Sequence, residues 1–231
     1  MATRRRVDTP TPTNTPPAVS RAYAHVKGRL LEGGYEDGEL LSEGAIATEL
    51  GMSRTPVREA LLQLQSEQLL TLYPKRGALV TPVSVRDVAE LYEARQLVER
   101  HCLRRAAGTE GLIEALDDAI AHQRAIVDEV ESGAAMRPGE RSAFADADRE
   151  YHRIWVEANG NKVLLEGYDR LRDRQQRVAA TLIRVSARSP RRLVEEHAEI
   201  VQALRENDVD KADAALARHL GASAAEGVRG G

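Results

Sequence analysis

From Ser84 onward the chain offers no segment that reads as a strand. Apolar residues recur there at the i, i+3, i+4, i+7 spacing of a one-sided helix. Six such patterns follow one another: Ser84 to about Ala107, then near 111–132, 142–158, 162–186, 190–206 and 209–225. Helix-ending or helix-starting residues separate them at Gly108, Ser132-Gly133, Gly160, Ser189-Pro190 and Asn207-Asp208. Helices with one apolar face must bury it against one another. Residues 84–226 are therefore expected to form an all-helical bundle of about six helices.

The preceding residues follow another pattern. Ser53-Arg-Thr-Pro-Val-Arg-Glu-Ala-Leu61 opens a helix with proline in its first turn. Val57, Ala60, Leu61 and Leu64 make its buried face, and Arg54 and Arg58 flank that face one turn apart. Such a helix start suits the major groove of DNA, where arginine pairs bidentately with guanine. Upstream, Leu41 to Gly51 reads as a short helix capped by Ser42 and stopped by Gly51. Two helices around a tight Gly-Met turn make a helix-turn-helix. Downstream, Leu69–Tyr73 and Ala78–Thr81 have strand composition and bracket the basic turn Pro74-Lys-Arg-Gly77. The whole is a winged helix-turn-helix over residues 18–82, led by a helix from about Ser20 to Glu32. Ser53, Arg54, Thr55 and Arg58 are its candidate DNA contacts on the recognition helix, with Lys75, Arg76 and Gly77 on the wing.

Residues 19–81 resemble the DNA-binding domain of the GntR family of bacterial transcription regulators. The resemblance rests on Leu-Ser-Glu at 41–43, Leu-Gly-Met-Ser-Arg-Thr-Pro-Val-Arg-Glu-Ala-Leu at 50–61, and Arg76-Gly77. One departure is Gly44, near a place where members of the family often carry a basic DNA-contacting residue. The helical layout over about 84–225 resembles the C-terminal, FCD-type domain of the FadR subfamily.

Charge and composition agree with a two-domain regulator. The chain has 231 residues and a net charge of −3, split as +1 over residues 1–81 and −4 over the rest. Basic charge must therefore be focused on a small surface. Residues 1–17, rich in Thr and Pro around Arg4-Arg-Arg6, read as a disordered arm. No stretch approaches the roughly 20 apolar residues of a membrane span, and the basic start lacks the apolar region of a signal peptide. The single cysteine, Cys102, excludes an intrachain disulfide framework and fits a reducing cytoplasm.

Polar residues sit in unexpected places on the bundle helices. Phe144, Tyr151 and Trp155 define an apolar face, with Asp148 and His152 in its middle. His197 is centred among Leu193, Val194, Ile200, Val201 and Leu204, and His219 among Ala212, Ala215, Leu216 and Ala222. Burying such groups is costly unless they are paired or bind metal. One Asp and three His form a suitable first shell for a divalent transition metal, zinc foremost, with nickel or another as alternatives. The ordinary alternative is a set of core histidines satisfied by hydrogen bonds. The metal-binding subset of the FadR-type domain has Asp-x-x-x-His on one helix and one His on each of two later helices. Asp148, His152, His197 and His219 match that pattern, and Tyr151 fills the aromatic position before the first histidine. His25, His101 and His122 read as solvated or incidental.

Arg95 is centred on the inner face of the long helix from Ser84, one turn before Glu99. It either pairs internally with Glu99 or faces a cavity ready for a ligand carboxylate. The resemblance implies the second, because related regulators use an arginine there on effectors. Gln175, among Leu171, Val178 and Leu182, is a weaker pointer to the same pocket. The expectation is a homodimeric transcriptional regulator of repressor type. It would bind a palindromic double-stranded operator under the control of a small organic acid held at the metal site. The alternative is a metal-dependent enzyme using the Asp/His site, in which the winged motif has no role.

Overall fold

The computed structural model describes residues 16–130, 136–185 and 189–229, and the chain divides into two compact units. Most of the expected arm, and the expected break at Ser132-Gly133, lie outside the described residues. No described helix is long and apolar enough to cross a membrane.

The first unit contains α1 (Ala18–Leu31) up to Lys27, β1 (Leu40–Leu41), α2 (Glu43–Glu49), α3 (Arg54–Ser66), β2 (Leu70–Tyr73) and β3 (Gly77–Val80) up to Leu79. The Ser42 side chain caps α2 by accepting from the Ala45 backbone N–H, and Gly51 supplies the left-handed residue (φ 61°) of the turn into α3. Val57, Ala60, Leu61 and Leu64 are completely buried and anchor α3. Tyr23 and Lys27 of α1 both reach Glu67 beyond the end of α3, at 2.6 and 2.9 Å. The sheet has strand order β1-β3-β2. Its two-residue strand β1, too short to read from sequence, pairs antiparallel with β3 through Leu40–Leu79 and Leu41–Ala78. Gly77 makes that pairing possible: with φ 121° it lies so close to β1 that a Cβ would stand 2.2 Å from the Leu41 carbonyl oxygen.

The second unit is helical: α4 (Val85–Ala106), α5 (Leu112–Glu129), α6 (Pro138–Ala158), α7 (Lys162–Asp169), α8 (Arg172–Val185), α9 (Pro190–Arg205) and α10 (Val209–Arg229). A reciprocal capping box between Ser84 and Asp87 starts α4. Gly108, Gly160 and Asn207, all with positive φ, lie in the gaps between helices. Two boundaries differ from expectation. α6 begins at Pro138, earlier than 142, because Pro at its first turn and an Arg137–Glu140 capping box extend it. The helix expected over 162–186 is two helices, so the described bundle has seven rather than about six. The helical spacing of Leu164, Tyr168, Leu171, Val178 and Leu182 runs on through the break, and Gly167 is the one residue there that could punctuate it. The break is tertiary in origin: it lets α7 pack on α6 while α8 packs on α6, α4 and α10.

The core gathers Phe144, Tyr151, Trp155, Tyr168, Leu103, Leu116, Ile200 and Leu216. At one edge, α4 is tied to α10 by Asp213, which accepts from Arg100 at 2.7 and 2.9 Å and from Arg104 at 2.9 Å. The hydrogen bonds from Arg100 lead the effects that hold the Asp213 carboxyl below its ordinary value. A depressed folded pKa means stability that is present above the unfolded value, about 3.9, and lost as pH falls through the folded one. Asp213→Asn is expected to cost about 1–3 kcal/mol at neutral pH. The difference from wild type should shrink as the pH drops below about 4, read as melting temperature against pH.

Candidate metal centre and nucleic-acid interface

Asp148 and His152 stand one turn apart on α6, His197 is on α9 and His219 on α10. One ligand atom from each lies within 4.8 Å of all the others. His197 Nε2 is 3.2 Å from His219 Nε2 and 3.5 Å from Asp148 Oδ1, and His152 Nε2 is 3.9 Å from the same oxygen. The three histidines are 0–5% exposed, and the Asp148 side chain is 14% exposed. Aromatic packing fixes the rings: Tyr151 stacks on His197 with centroids 4.1 Å apart, and Trp155 meets His152 edge-on.

The second nitrogen of each imidazole decides what the first can do. Gln123 of α5 donates its amide N–H to the Ala147 carbonyl at 3.2 Å, which orients the amide. Its oxygen then faces His197 Nδ1 at 2.8 Å, so Nδ1 must carry the proton. His219 Nδ1 lies 2.9 Å from the Glu196 carboxylate and His152 Nδ1 lies 2.8 Å from that of Glu99. Burial holds the His219 imidazole below its ordinary value, against the opposing pull of Glu196, and so favours its neutral form. The Nε2 atoms of His197 and His219 therefore present bare lone pairs, and His152 Nε2 and an Asp148 carboxylate oxygen converge with them. His152 Nε2 makes no hydrogen bond among the described residues. Such a convergence is repulsive by itself and suits a divalent cation. Of the residues behind the quartet, Gln123 and Glu196 were not singled out in the sequence. Gln123 was findable, since it interrupts the apolar stripe Leu112, Leu116, Ile120. Glu196 sits beside the stripe and carries no such signal.

Arg95 meets both alternatives at once. Its Nε donates to Glu99 Oε1 at 2.6 Å, and it lines a cavity of about 30 Å³ with Tyr92, Phe144, Asp148, Leu182 and His219. That volume holds about two waters. The lining includes two aromatic rings, Tyr92 and Phe144. Gln175 is 5% exposed, neither of its amide atoms has a hydrogen-bond partner among the described residues, and it is not among the residues lining this cavity. His101 and His122 are exposed, and His25 lies 3.2 Å from Glu49.

In the first unit, Arg54, Thr55 and Arg58 are exposed on the first turns of α3. Ser53 occupies the N-cap position but makes no side-chain capping bond. Lys75, in the left-handed region at φ 62°, and Arg76 are exposed in the turn between β2 and β3. The guanidinium of Arg54 lies against α2 at Gly44, where a Cβ would come within 3.1 Å of Nη2. The bare Cα of Gly44 thus gives Arg54 its resting place.

A family model described as "Bacterial regulatory proteins, gntR family" matches residues 18–80, and one described as "FCD domain" matches residues 90–222, more than half of the chain. The chain belongs to the gntR family of bacterial regulatory proteins, with an FCD domain as its helical part: it is a transcription regulator, not an enzyme. More particularly, it is similar to the HTH-type transcriptional repressor RspR of Escherichia coli K12, at 26% identity over 209 residues, 89% of this chain and 87% of that protein. The gluconate operon transcriptional repressor of Bacillus subtilis is 40% identical over 79 residues, 34% of this chain and 32% of that protein. Among solved structures, a GntR transcriptional regulator from Rhodococcus sp. RHA1 shares the fold with a TM-score of 0.71 at 20% identity, covering 91% of this chain and 97% of that one.

The converging lone pairs make a simple prediction. Zinc added to metal-stripped protein is expected to raise its melting temperature, as any ligand of the native state does. His197→Ala combined with His219→Ala should abolish both that rise and the stoichiometric metal found by elemental analysis. A full equivalent of metal in the double variant would overturn the assignment.

Proposed function

We propose that this chain is a homodimeric repressor that reads a palindromic operator and whose grip on DNA is set by a small organic acid bound beside a divalent metal, zinc foremost. The observation that carries the reading is the convergence of Asp148, His152, His197 and His219 within 4.8 Å, each imidazole backed by an acceptor at Nδ1.

On the DNA side, the anchored helix α3 would present Arg54 and Arg58 to base edges or phosphates. Ser53, Thr55 and the unsatisfied N–H groups of the first turn would meet a phosphate. Lys75 and Arg76 would hold the flanking backbone, with Gly77 setting the shape of the wing. One winged module offers few contacts, so a twofold protein on a twofold site is the economical arrangement. The helical bundle would supply the dimer interface.

On the sensing side, Asp148 and the three histidines would hold the metal, which when bound supplies a Lewis-acidic centre for a ligand oxygen. Arg95 would take a second carboxylate or hydroxyl oxygen: its Nε is engaged by Glu99, while no hydrogen bond from Nη1 or Nη2 is found among the described residues. Tyr92 and Phe144 limit the cavity to compact acids. At about 30 Å³ the cavity must widen to admit one, so binding would move the helices that line it. A ligand shifts such an equilibrium only by its differential affinity for the two states.

Two measurements test this reading. Arg58→Ala is expected to weaken operator binding at least tenfold, the loss of about 1–3 kcal/mol for a bidentate base contact, without changing helicity or melting. An unchanged gel-shift titration would remove Arg58 from the contacts. A thermal-shift screen of hydroxy acids, dicarboxylates and sugar acids against zinc-loaded protein should find a ligand that alters operator binding and is lost in Arg95→Ala. Equal binding to metal-stripped and Arg95→Ala protein would overturn the effector site.

A further inference from the structure

Glu99 is a fully buried carboxylate, 0% exposed, on which three helices meet. Its Oε1 accepts from Arg95 Nε of α4 at 2.6 Å and from the Tyr168 hydroxyl of α7 at 2.9 Å. Its Oε2 lies 2.8 Å from His152 Nδ1 of α6. Those two atoms are off the hydrogen-bond axis, and neither has another partner among the described residues. Each is therefore the other's natural complement. We propose that Glu99 is the positioning residue of the metal centre: it fixes the tautomer of His152 so that Nε2 faces the quartet bare, and it tethers that histidine to the pocket arginine. The proposal rests on the metal reading above.

The argument runs from charge to tautomer. An ionised carboxylate has only acceptor lone pairs. The Arg95 guanidinium, 2.6 Å away, supplies the counter-charge that lets Glu99 stay a carboxylate in the core. Two donors, Arg95 and Tyr168, already occupy Oε1. Oε2 is then free to take the His152 Nδ1 proton, which leaves the ligating nitrogen unprotonated. A carboxylate behind an imidazole also raises its basicity toward a metal, and losing such a partner typically costs ten- to a hundredfold in affinity.

Glu99→Gln tests this with almost no change of shape. Arg95 and Tyr168 demand an acceptor on their side, so the amide oxygen stays there and the amide N–H₂ turns to His152. Nδ1 must then accept, the ring proton moves to Nε2, and the lone pair facing the quartet is lost. Zinc affinity, measured by competition with a chromophoric chelator, is expected to fall about ten- to a hundredfold, while the helicity of metal-free protein stays near wild type and its melting temperature falls, because Arg95 loses a buried counter-charge. Zinc affinity within twofold of wild type would overturn the proposal. So would a nitrogen-15 NMR spectrum of metal-free wild-type protein showing His152 protonated at Nε2; protonation at Nδ1 is expected. The NMR measurement judges Glu99 even where Glu99→Gln fails to fold. Wild-type protein that takes up no zinc would instead sink the metal reading and leave the tautomer result to judge Glu99 by itself.

Discussion

The helical unit depends on one arrangement: polar groups buried at its centre and locked there by other polar groups. Three imidazoles at 0–5% exposure carry a cost of several kcal/mol unless satisfied. His197 and His219 are satisfied on their outer sides by Gln123 of α5 and Glu196 of α9, and His152 faces Glu99 of α4 at 2.8 Å. The inner side is left to the quartet. The surrounding apolar core is then built to hold these rings still. Tyr151 stacks on His197 and donates its hydroxyl to the His197 carbonyl at 3.0 Å, and Trp155 closes on His152. Packing of this kind supports a coordination geometry better than it supports raw stability, since an all-apolar centre would cost less to bury.

The two units illustrate different ways of being legible. In the first, short-range chemistry carried nearly everything. Ser42 as cap, Gly51 as turn and the Val57–Leu64 stripe each work within a few residues, so spacing alone exposed the helix-turn-helix. What escaped was β1, whose two residues are held by β3 and by the close approach of Gly77 to Leu41, a contact no local pattern encodes. In the second unit, stripe-centred polar residues disclosed the quartet, because a polar group on an apolar face has few ordinary explanations. The Nδ1 partners were visible only in part. Gln123 lies on a stripe, but Glu196 reaches His219 across helices from a position that looks solvated. The split of α7 from α8 was hard to read, since the apolar period runs through it and Gly167 is its only local mark; the two segments are separated by what they pack on, α7 on α6 and α8 on α6, α4 and α10.

Gly44 shows how a missing side chain can carry information. On family resemblance alone its lack of a basic group reads as a lost contact. In the structure, the space beside its Cα is taken by the Arg54 guanidinium, within 3.1 Å of where a Cβ would be. The positive charge near α2 is therefore supplied by α3. An arginine lying on a helix backbone keeps fewer rotamers than one in open solvent, and less entropy is lost when it meets a base or phosphate.

In the proposed effector site, Glu99 joins the arginine to the metal quartet through a single group. The same carboxylate faces the Arg95 guanidinium on one side and the His152 imidazole on the other, so neither can change its partner without altering the other's surroundings. An anion drawn to Arg95 would compete with Oε1 for the guanidinium and leave more of the carboxylate's charge on His152. A stronger donor at His152 would hold the metal more tightly, and linkage requires the converse, that metal should strengthen anion binding by the same factor. Arg95 and Glu99 both belong to α4, which begins at Val85, soon after the wing strand ends at Val80. Any adjustment the pair makes is therefore made on the helix that chain continuity links most directly to the DNA-reading unit.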